Sequence, residues 1–563
     1  MNKLTYVLIP CIMVLATAAA SYLSMHPSYR APEPVTESFF YEGLEHAEAA
    51  QDQRYGKQLI EAAQEKRFVN KPAGYYVDLD KQADLDLSLS PLFVKASSGL
   101  LNVTISREYS PYQDVDGYID YYLNRFILDS SYRTHNGLVL IEAESIDMRG
   151  YGVKMITIRG DYFPDGLPSM YTYITITDGT PGFYRIMCKY DYHTPDEAME
   201  QIMALLDSFT TFTPEGEDRF ETDFAPQLPE FWSEETKRTY EHIVNSENIG
   251  WGVFVKDVYE EGIDHTIPDL EQKLDYHFPV TLCYLDCWQE FPMEFMQKNY
   301  ADGKLVELTY HITTTNNMDL FFYTPQLFTY WGERDEEIRE FARKAKEFGH
   351  PFLFRLNNEM NTDWTSYSGV VNLSDPDIYK EVWKRYYRIF QEEGVDNAIW
   401  VFNPNGENYP PCNWNNFLAY YPGDEYVQMI GLTGYNTGTY YQEETGEKWR
   451  SFETIYDRLE EEYMPFFSKF PWIITEFASS SHGGDKAQWI RDMFGKIGDY
   501  ENIKLAVWFS SADVDLSDPD NPVAARPYWL DETPETLQAM KEGLLQTGPF
   551  DWHQDWLNAI ESK

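Results

Sequence analysis

Cations are scarce in this chain: 45 Lys and Arg stand against 92 Asp and Glu over 563 residues, a formal charge of -47. Such a surface repels nucleic acid and anionic lipid headgroups, so no nucleic-acid partner is expected. Cysteine is rarer still, at 5. Beyond Cys11 there are only Cys188, Cys283, Cys287 and Cys412, which make no disulfide framework. Cys283 and Cys287 fall in one predicted strand and its exit, too far apart along it to bridge. The 11 His form no cluster with them, so neither a zinc site nor another cofactor is expected. Long apolar runs are confined to residues 4–23, which follow Met1-Asn2-Lys3 and contain Ala18-Ala19-Ala20, where a signal peptidase could cut. Segment 1–25 is therefore read as a signal peptide or, since about 20 apolar residues also span a bilayer, an uncleaved membrane anchor. Lipidation at Cys11 is disfavoured by Pro10 and the short apolar run before it. The protein is expected to be secreted or held at the outer face of the cell membrane.

What the chain has in quantity is aromatic surface, 16% of residues with 15 Trp and 43 Tyr, much of it destined for cores. Residues 26–67 begin with Pro27, Pro32 and Pro34 as a spacer, and the charged, helix-favouring stretch from 36 to 67 predicts a helical lead-in. Residues 68–212 read as an α+β domain, with strands over 74–79, 92–96, 100–107, 138–143, 152–159, 171–177 and 182–190. Its turn signals are Asn136-Gly137 and Asp178-Gly179. Helices are predicted over 115–128 and from Pro195 to 209, the latter opened by a capping box, Thr194-Pro195-Asp196-Glu197. Tyr75-Tyr76-Val77-Asp78-Leu79 followed by Asp84-Leu85-Asp86-Leu87-Ser88-Leu89-Ser90-Pro91 resembles PsbP-like sandwich domains. No catalytic constellation falls here, which leaves an accessory role in binding or spacing. Residues 213–229, with Pro214, Pro226, Pro229 and many acids, form a linker.

Residues 230–550 alternate between strand and helix patterns. Strands are predicted over 250–255, 279–285, 305–311, 351–357, 398–403, 428–435, 472–476 and 504–510. Between them, Ile338, Phe341, Ala342 and Ala345 stripe one helix, and Val382, Trp383, Tyr386, Ile389 and Phe390 another that Gly394 terminates. Asp485 caps a third. Eight strands alternating with helices predict an α/β fold, a (β/α)8 barrel preceded by the smaller α+β sandwich-like domain. In such a barrel chemistry sits at the carboxyl ends of the strands. There, Phe352-Leu353-Phe354-Arg355-Leu356-Asn357-Asn358-Glu359 ends in amides and a carboxylate, and Trp472-Ile473-Ile474-Thr475-Glu476 ends in another. Two carboxylates facing one pocket are the minimum for cleaving a glycosidic bond, although either alone is more often a solvated loop residue.

The run Phe354 to Asn361 with Trp364, then Ala398-Ile399-Trp400-Val401-Phe402-Asn403-Pro404-Asn405, Tyr421-Pro422-Gly423-Asp424-Glu425-Tyr426-Val427, Gly434-Tyr435-Asn436, Ile474-Thr475-Glu476-Phe477 and Asp485-Lys486-Ala487-Gln488-Trp489-Ile490 resembles glycoside hydrolase family 26 over about residues 240–545. The resemblance implies a retaining β-mannanase-like barrel, with Glu359 as acid/base and Glu476 as nucleophile. It further implies that Tyr435 donates to Glu476 and that Trp508 floors the subsite of the cleaved sugar. Trp364 would be a stacking wall, His311 a donor to sugar hydroxyls and Arg355 an electrostatic brace. Packing is the alternative for Tyr435, Trp508, His311 and Arg355. The chain departs from the family where Asn358 replaces a histidine and Thr433 an aspartate. Asn358 is instead what the wider clan uses at the sugar 2-hydroxyl, so retaining β-glycan hydrolysis is implied more firmly than mannan as the substrate.

Asp513-Val514-Asp515-Leu516-Ser517-Asp518-Pro519-Asp520 is acidic, but it lacks the glycine and glutamate of a calcium loop and is read as a solvated loop. The expected partner is a polysaccharide substrate. Two rivals stay open: a non-catalytic carbohydrate-binding or cell-surface exopolysaccharide-assembly protein, and an enzyme that trims the cell's own exopolysaccharide.

Overall fold

The computed structural model describes residues 36–48, 52–161, 163–164, 166–313, 323–518 and 520–553. The apolar segment 4–23, and with it Cys11 and the anchor expectation, lies outside them. Among the described residues no helix is long and apolar enough to cross a membrane.

The eight parallel strands close into a barrel in sequence order: β1 Gly250–Val255, β2 Val280–Asp286, β3 Leu305–His311, β4 Phe352–Leu356, β5 Ala398–Phe402, β6 Met429–Asn436, β7 Trp472–Ser479 and β8 Ile503–Ser510. Alternation along each strand divides the apolar residues into two cores. Leu282, Leu305, Leu353, Ile399, Val401, Met429, Ile473, Leu505 and Val507 fill the interior. Their neighbours Cys283, Val306, Phe354, Trp400, Ile430, Ile474 and Ala506 face the helices. Among these are α1 (Asp335–Phe348), α2 (Pro376–Glu393), α3 (Phe452–Phe467) and α4 (Lys486–Lys496). The α4 start is capped as its sequence predicts, Asp485 accepting from Gln488 N at 3.0 Å.

Before the barrel stand two antiparallel sheets. One orders its strands as Asp52–Arg54, Lys57–Glu61, Glu65–Asn70, Tyr75–Asp80 and Thr210–Thr211. The other orders Asp84–Asp86, Phe93–Ser98, Leu101–Tyr109, Gly182–Tyr190, Met170–Thr177, Tyr151–Gly160 and Leu138–Met148. The expected helical lead-in does not form. Among the described residues of 36–67 only a short 3-10 turn, Glu37–Tyr41, is helical, and the rest supplies strands. Ile60, Phe68 and Val69 are fully buried by pairing with the next strand, so tertiary burial overrides local helix propensity. The domain therefore begins well before residue 68. Thr194 does precede helix Pro195–Ser208, but its side chain makes no capping bond, leaving Pro195 as the working start signal.

Segment 213–229 has almost no regular structure, yet it is docked rather than free. Phe224 packs on Tyr421 and Phe467, and Ala225 N donates to Asp424 Oδ2 at 3.1 Å. Of residues 513–520, expected as a solvated loop, the first three instead belong to a hairpin in which Ala512–Asp515 pairs with Val523–Pro527. The four described cysteines are buried and free.

Candidate active site

The barrel interior turns polar toward its carboxyl end. Arg355, fully buried on β4, donates from Nε to Thr309 Oγ1 at 2.6 Å and from Nη1 to Asn403 Oδ1 at 2.9 Å. Thr475 Oγ1 donates to the same Asn403 oxygen at 3.0 Å. Gly431 makes room for this layer, because a Cβ there would lie 2.5 Å from Asn403 Cβ and 2.8 Å from Thr475 Cγ2. Beside Arg355 lies Glu307, also fully buried, with Oε1 3.0 Å from Nε. Since Nε–H is directed at Thr309, this approach is an ion pair without an aligned hydrogen bond. Neither Glu307 oxygen has a hydrogen-bond donor among the described residues. Burial pushes its carboxyl up to about 8, against the pull of Arg355.

Above this layer β7 departs from regular alternation. Its pairing slips against both neighbours between Ile474 and Phe477, a β-bulge. Ile473 points into the barrel and Ile474 out, but Thr475 and Glu476 both turn inward and Phe477 rejoins the outer core. Glu476 thereby reaches one cation and two donors: it pairs with Arg355 Nη1 at 2.8 Å and accepts from Asn358 Nδ2 at 3.4 Å on Oε1, and it accepts from Tyr435 OH at 2.9 Å on Oε2. Those are the contacts of a carboxylate anion.

Glu359 follows β4 on a strained turn in which Asn357 (φ 47°) and Glu359 (φ 57°) are both left-handed. Its Oε1 accepts from Asn405 Nδ2 at 2.7 Å, and its backbone N donates to Asn403 O at 2.8 Å. Burial and then the charge of Glu476 push its carboxyl up to about 7, while bonds from Asn405 and Trp364 and the charge of Arg355 act against the rise. Between the two acids, His311 Nε2 lies 2.7 Å from Asn358 Oδ1. Burial pulls His311 down to about 4. A neutral ring protonated on Nε2 fixes the amide so that its NH2 faces Glu476.

The structure thus gathers Glu359, Glu476, Asn358, His311, Tyr435 and Arg355 at the mouth. Trp364 is 49% exposed at its rim, 5.3 Å from the Tyr409 ring. Trp508 is not among them. It is 1% exposed and faces outward, its ring on Phe477 and on Trp489 of α4, its Nε1 donating to Tyr528 O at 2.9 Å. Its neighbour Phe509 takes the inward place, 5.9 Å from Tyr435 and stacked on Phe254. The expectation for Trp508 fails by one residue of strand parity. Sequence reasoning also passed over Glu307, Asn405, Phe509 and Tyr284, whose ring lies 5.5 Å from the Arg355 guanidinium and 5.6 Å from the His311 ring. Strand alternation, continued inward from Leu305 and Leu282, signals Glu307 and Tyr284. Asn405, just beyond β5, signals itself as an amide at a strand end.

A further cluster, Glu271, His277 and Asp302, lies near the opposite, amino-terminal ends of β2 and β3. The ammonium of Lys304 sits among them, 2.9 Å from Glu271 and 3.2 Å from His277 Nδ1, so a cation already occupies that position.

An eight-stranded parallel barrel with paired carboxylates at its carboxyl-terminal mouth defines a class, the barrel glycosidase architecture. Residues 333–455, which run from just before α1 into α3 and include Glu359 and Tyr435, match the model of glycosyl hydrolase family 26. The chain is 30% identical over 252 residues to Endoglucanase H of Acetivibrio thermocellus, an alignment covering 44% of this chain and 25% of that protein. It is 33% identical over 110 residues to a mannan endo-1,4-beta-mannosidase of Bacillus subtilis, covering 18% of this chain and 29% of that protein. The chain thus spans under a third of the length of either relative. Among solved structures, GH26A from Muricauda sp. MAR_2010_75 aligns at 17% identity and TM-score 0.35, covering 55% of this chain and 97% of that one. A modular endo-beta-1,4-mannanase from Cellulomonas fimi aligns at 14% identity and TM-score 0.43, covering 58% and 77%.

Proposed function

We propose that this protein is a retaining endo-β-glycosidase acting on a β-linked polysaccharide, with β-1,4-mannan as the first substrate to test. The observation that carries the proposal is the contrast between two neighbouring acids. Glu359 is pushed up to about 7, whereas Glu476 receives Arg355, Tyr435 and Asn358 on its oxygens. One carboxyl suited to holding a proton beside one suited to attack is what double displacement requires. Glu476 attacks the anomeric carbon as Glu359 passes its proton to the departing glycosidic oxygen, and that C–O bond breaks. Water then attacks the glycosyl-enzyme ester while Glu359 takes up its proton, and Glu476 leaves as carboxylate. A retaining enzyme holds the two carboxyl groups about 5–5.5 Å apart, with no room for a water between sugar and nucleophile.

A second reading, a β-glucan substrate, is supported by the longer alignment to a protein named an endoglucanase. Mannose and glucose differ at C2, so the pair Asn358 and His311 is where the choice would be made. The protein is exported and acts outside the cell, either secreted or anchored through residues 4–23.

Reducing-end release from mannan, xylan and mixed-linkage glucan, compared with Glu476→Ala, tests the reading. Loss of all turnover in the variant and a first product of retained configuration, seen by NMR, are expected. Inversion would exclude the double displacement. No turnover on any glycan would favour a carbohydrate-binding or exopolysaccharide-assembly protein.

A further inference from the structure

The connection between β4 and α2 carries Glu359 and is gripped from outside the barrel. Its left-handed pair Leu373 (φ 58°) and Ser374 (φ 48°) offers two carbonyls to the seven-stranded sheet. Tyr173 OH donates to Leu373 O at 2.6 Å and Arg185 Nη2 to Ser374 O at 2.8 Å. Both side chains are buried, and Arg185 also lies over the Trp414 ring at 4.8 Å. Around them Lys189 pairs with Asp375 at 3.0 Å and Asp377 at 2.8 Å, and Arg125 with Asp363 at 3.1 Å. The neighbouring β5 connection is held in the same way: Asn413 N and Trp414 N donate to Glu108 at 2.6 and 3.1 Å.

These grips lead to the acid. Next to Trp414, Asn415 Nδ2 donates to Asn361 O at 2.9 Å. Asn361 in turn accepts from Asn405 N at 2.8 Å and donates to Asn405 O at 2.9 Å. The Asn405 side chain then donates to Glu359 Oε1 at 2.7 Å. Two consecutive non-glycine residues in left-handed backbone persist only where surroundings over-determine them, and here those surroundings belong to another domain. The apolar core is shared as well, Tyr173, Phe183 and Met187 joining the outer layer of the barrel.

We propose that the amino-terminal sheet domain is part of the catalytic unit, with Arg185 and Tyr173 as positioning residues that fix the β4–α2 connection and, through it, Glu359. The inference rests on Glu359 being the acid/base, and it replaces the role of separate binding or spacing module expected from sequence.

The test uses the full-length protein with Arg185→Lys, which cannot reproduce the planar guanidinium, and Tyr173→Phe, which removes one hydroxyl. Hydrogen exchange read by mass spectrometry should rise over 358–376 and 405–415 and stay unchanged over 472–479. An unchanged connection, or a uniform rise across the barrel, would overturn the proposal. This readout is independent of turnover, so it decides the positioning claim even where the function proposed above fails. In the active enzyme, kcat/KM on polysaccharide should fall about tenfold or more. On a 2,4-dinitrophenyl β-glycoside, whose leaving group departs without a proton, it should change less than about twofold. Equal losses on both substrates would show a general structural defect and overturn the assignment. Should Arg185→Lys not fold, Tyr173→Phe carries both measurements.

Discussion

Glu307 and Arg355 lie 3.0 Å apart in the centre of the barrel, and neither has any exposed surface. The arginine divides its charge between this carboxyl and Glu476, so what happens to Glu307 bears on the site above it.

Replacing Glu307 by Gln should therefore change stability in a pH-dependent way. Its folded pKa of about 8 stands above the ordinary carboxyl value of 4.5. The folded state then holds the proton more tightly, and the wild type loses stability as pH rises through that window. Relative to wild type, the Glu307→Gln variant should gain in Tm between pH 4.5 and 8. Calorimetry showing a pH-independent loss would mean that the ion pair is net stabilising.

Glu359 sets an alkaline limit. The first role proposed for Glu359 requires a proton, and its pKa is raised to about 7, by burial first and Glu476 second. The rate of glycosyl transfer should fall through about pH 7, and Glu476→Gln should move the Glu359 titration downward. Difference infrared titration of the carboxyl band checks the second point; no movement would mean that the two acids do not sense one another.

Tyr435→Phe deletes one of the donors on Glu476 without opening a cavity. A drop in kcat on the order of 10–100-fold is expected with little change in Tm, since the hydroxyl serves the anion rather than the core. Retention of full activity would leave Tyr435 a packing residue.

Trp508 and Phe509 should separate cleanly. Trp508→Ala empties a site in the outer core and should cost about 3–5 kcal/mol of stability, with KM of the remaining folded enzyme unaltered. Phe509→Ala should spare stability by comparison and raise KM, as its ring is at the mouth. Chemical denaturation and steady-state kinetics on the pair would reverse the assignment if the effects were exchanged.

Much of the barrel was legible because its strands are short apolar runs ending in amides or acids. Arg355-Leu356-Asn357-Asn358-Glu359 announces both a strand end and a site. The lead-in misled because Glu, Ala and Gln favour helix locally, whereas Ile60 is buried once 57–61 pairs with the next strand, a cross-strand gain that local propensity does not register. Trp508 misled because the resemblance assigns the subsite floor to the tryptophan of this strand, while its facing depends on register, which a single strand does not reveal. The grip of Arg185 on Ser374 joins residues far apart in sequence and leaves no local pattern at all.

The doubled step at Thr475 and Glu476 makes reactivity a matter of counting. Were β7 to keep strict alternation past Ile474, with no extra residue taken up by the bulge, the carboxylate would swing into the helix layer and the Phe477 ring would come to the opening. The barrel would still close on the same hydrophobic faces, and every acid would still be present in the chain. A chain of the same composition would then present no carboxylate where Glu476 now stands, so the site depends on the extra residue held by the bulge as much as on its glutamates.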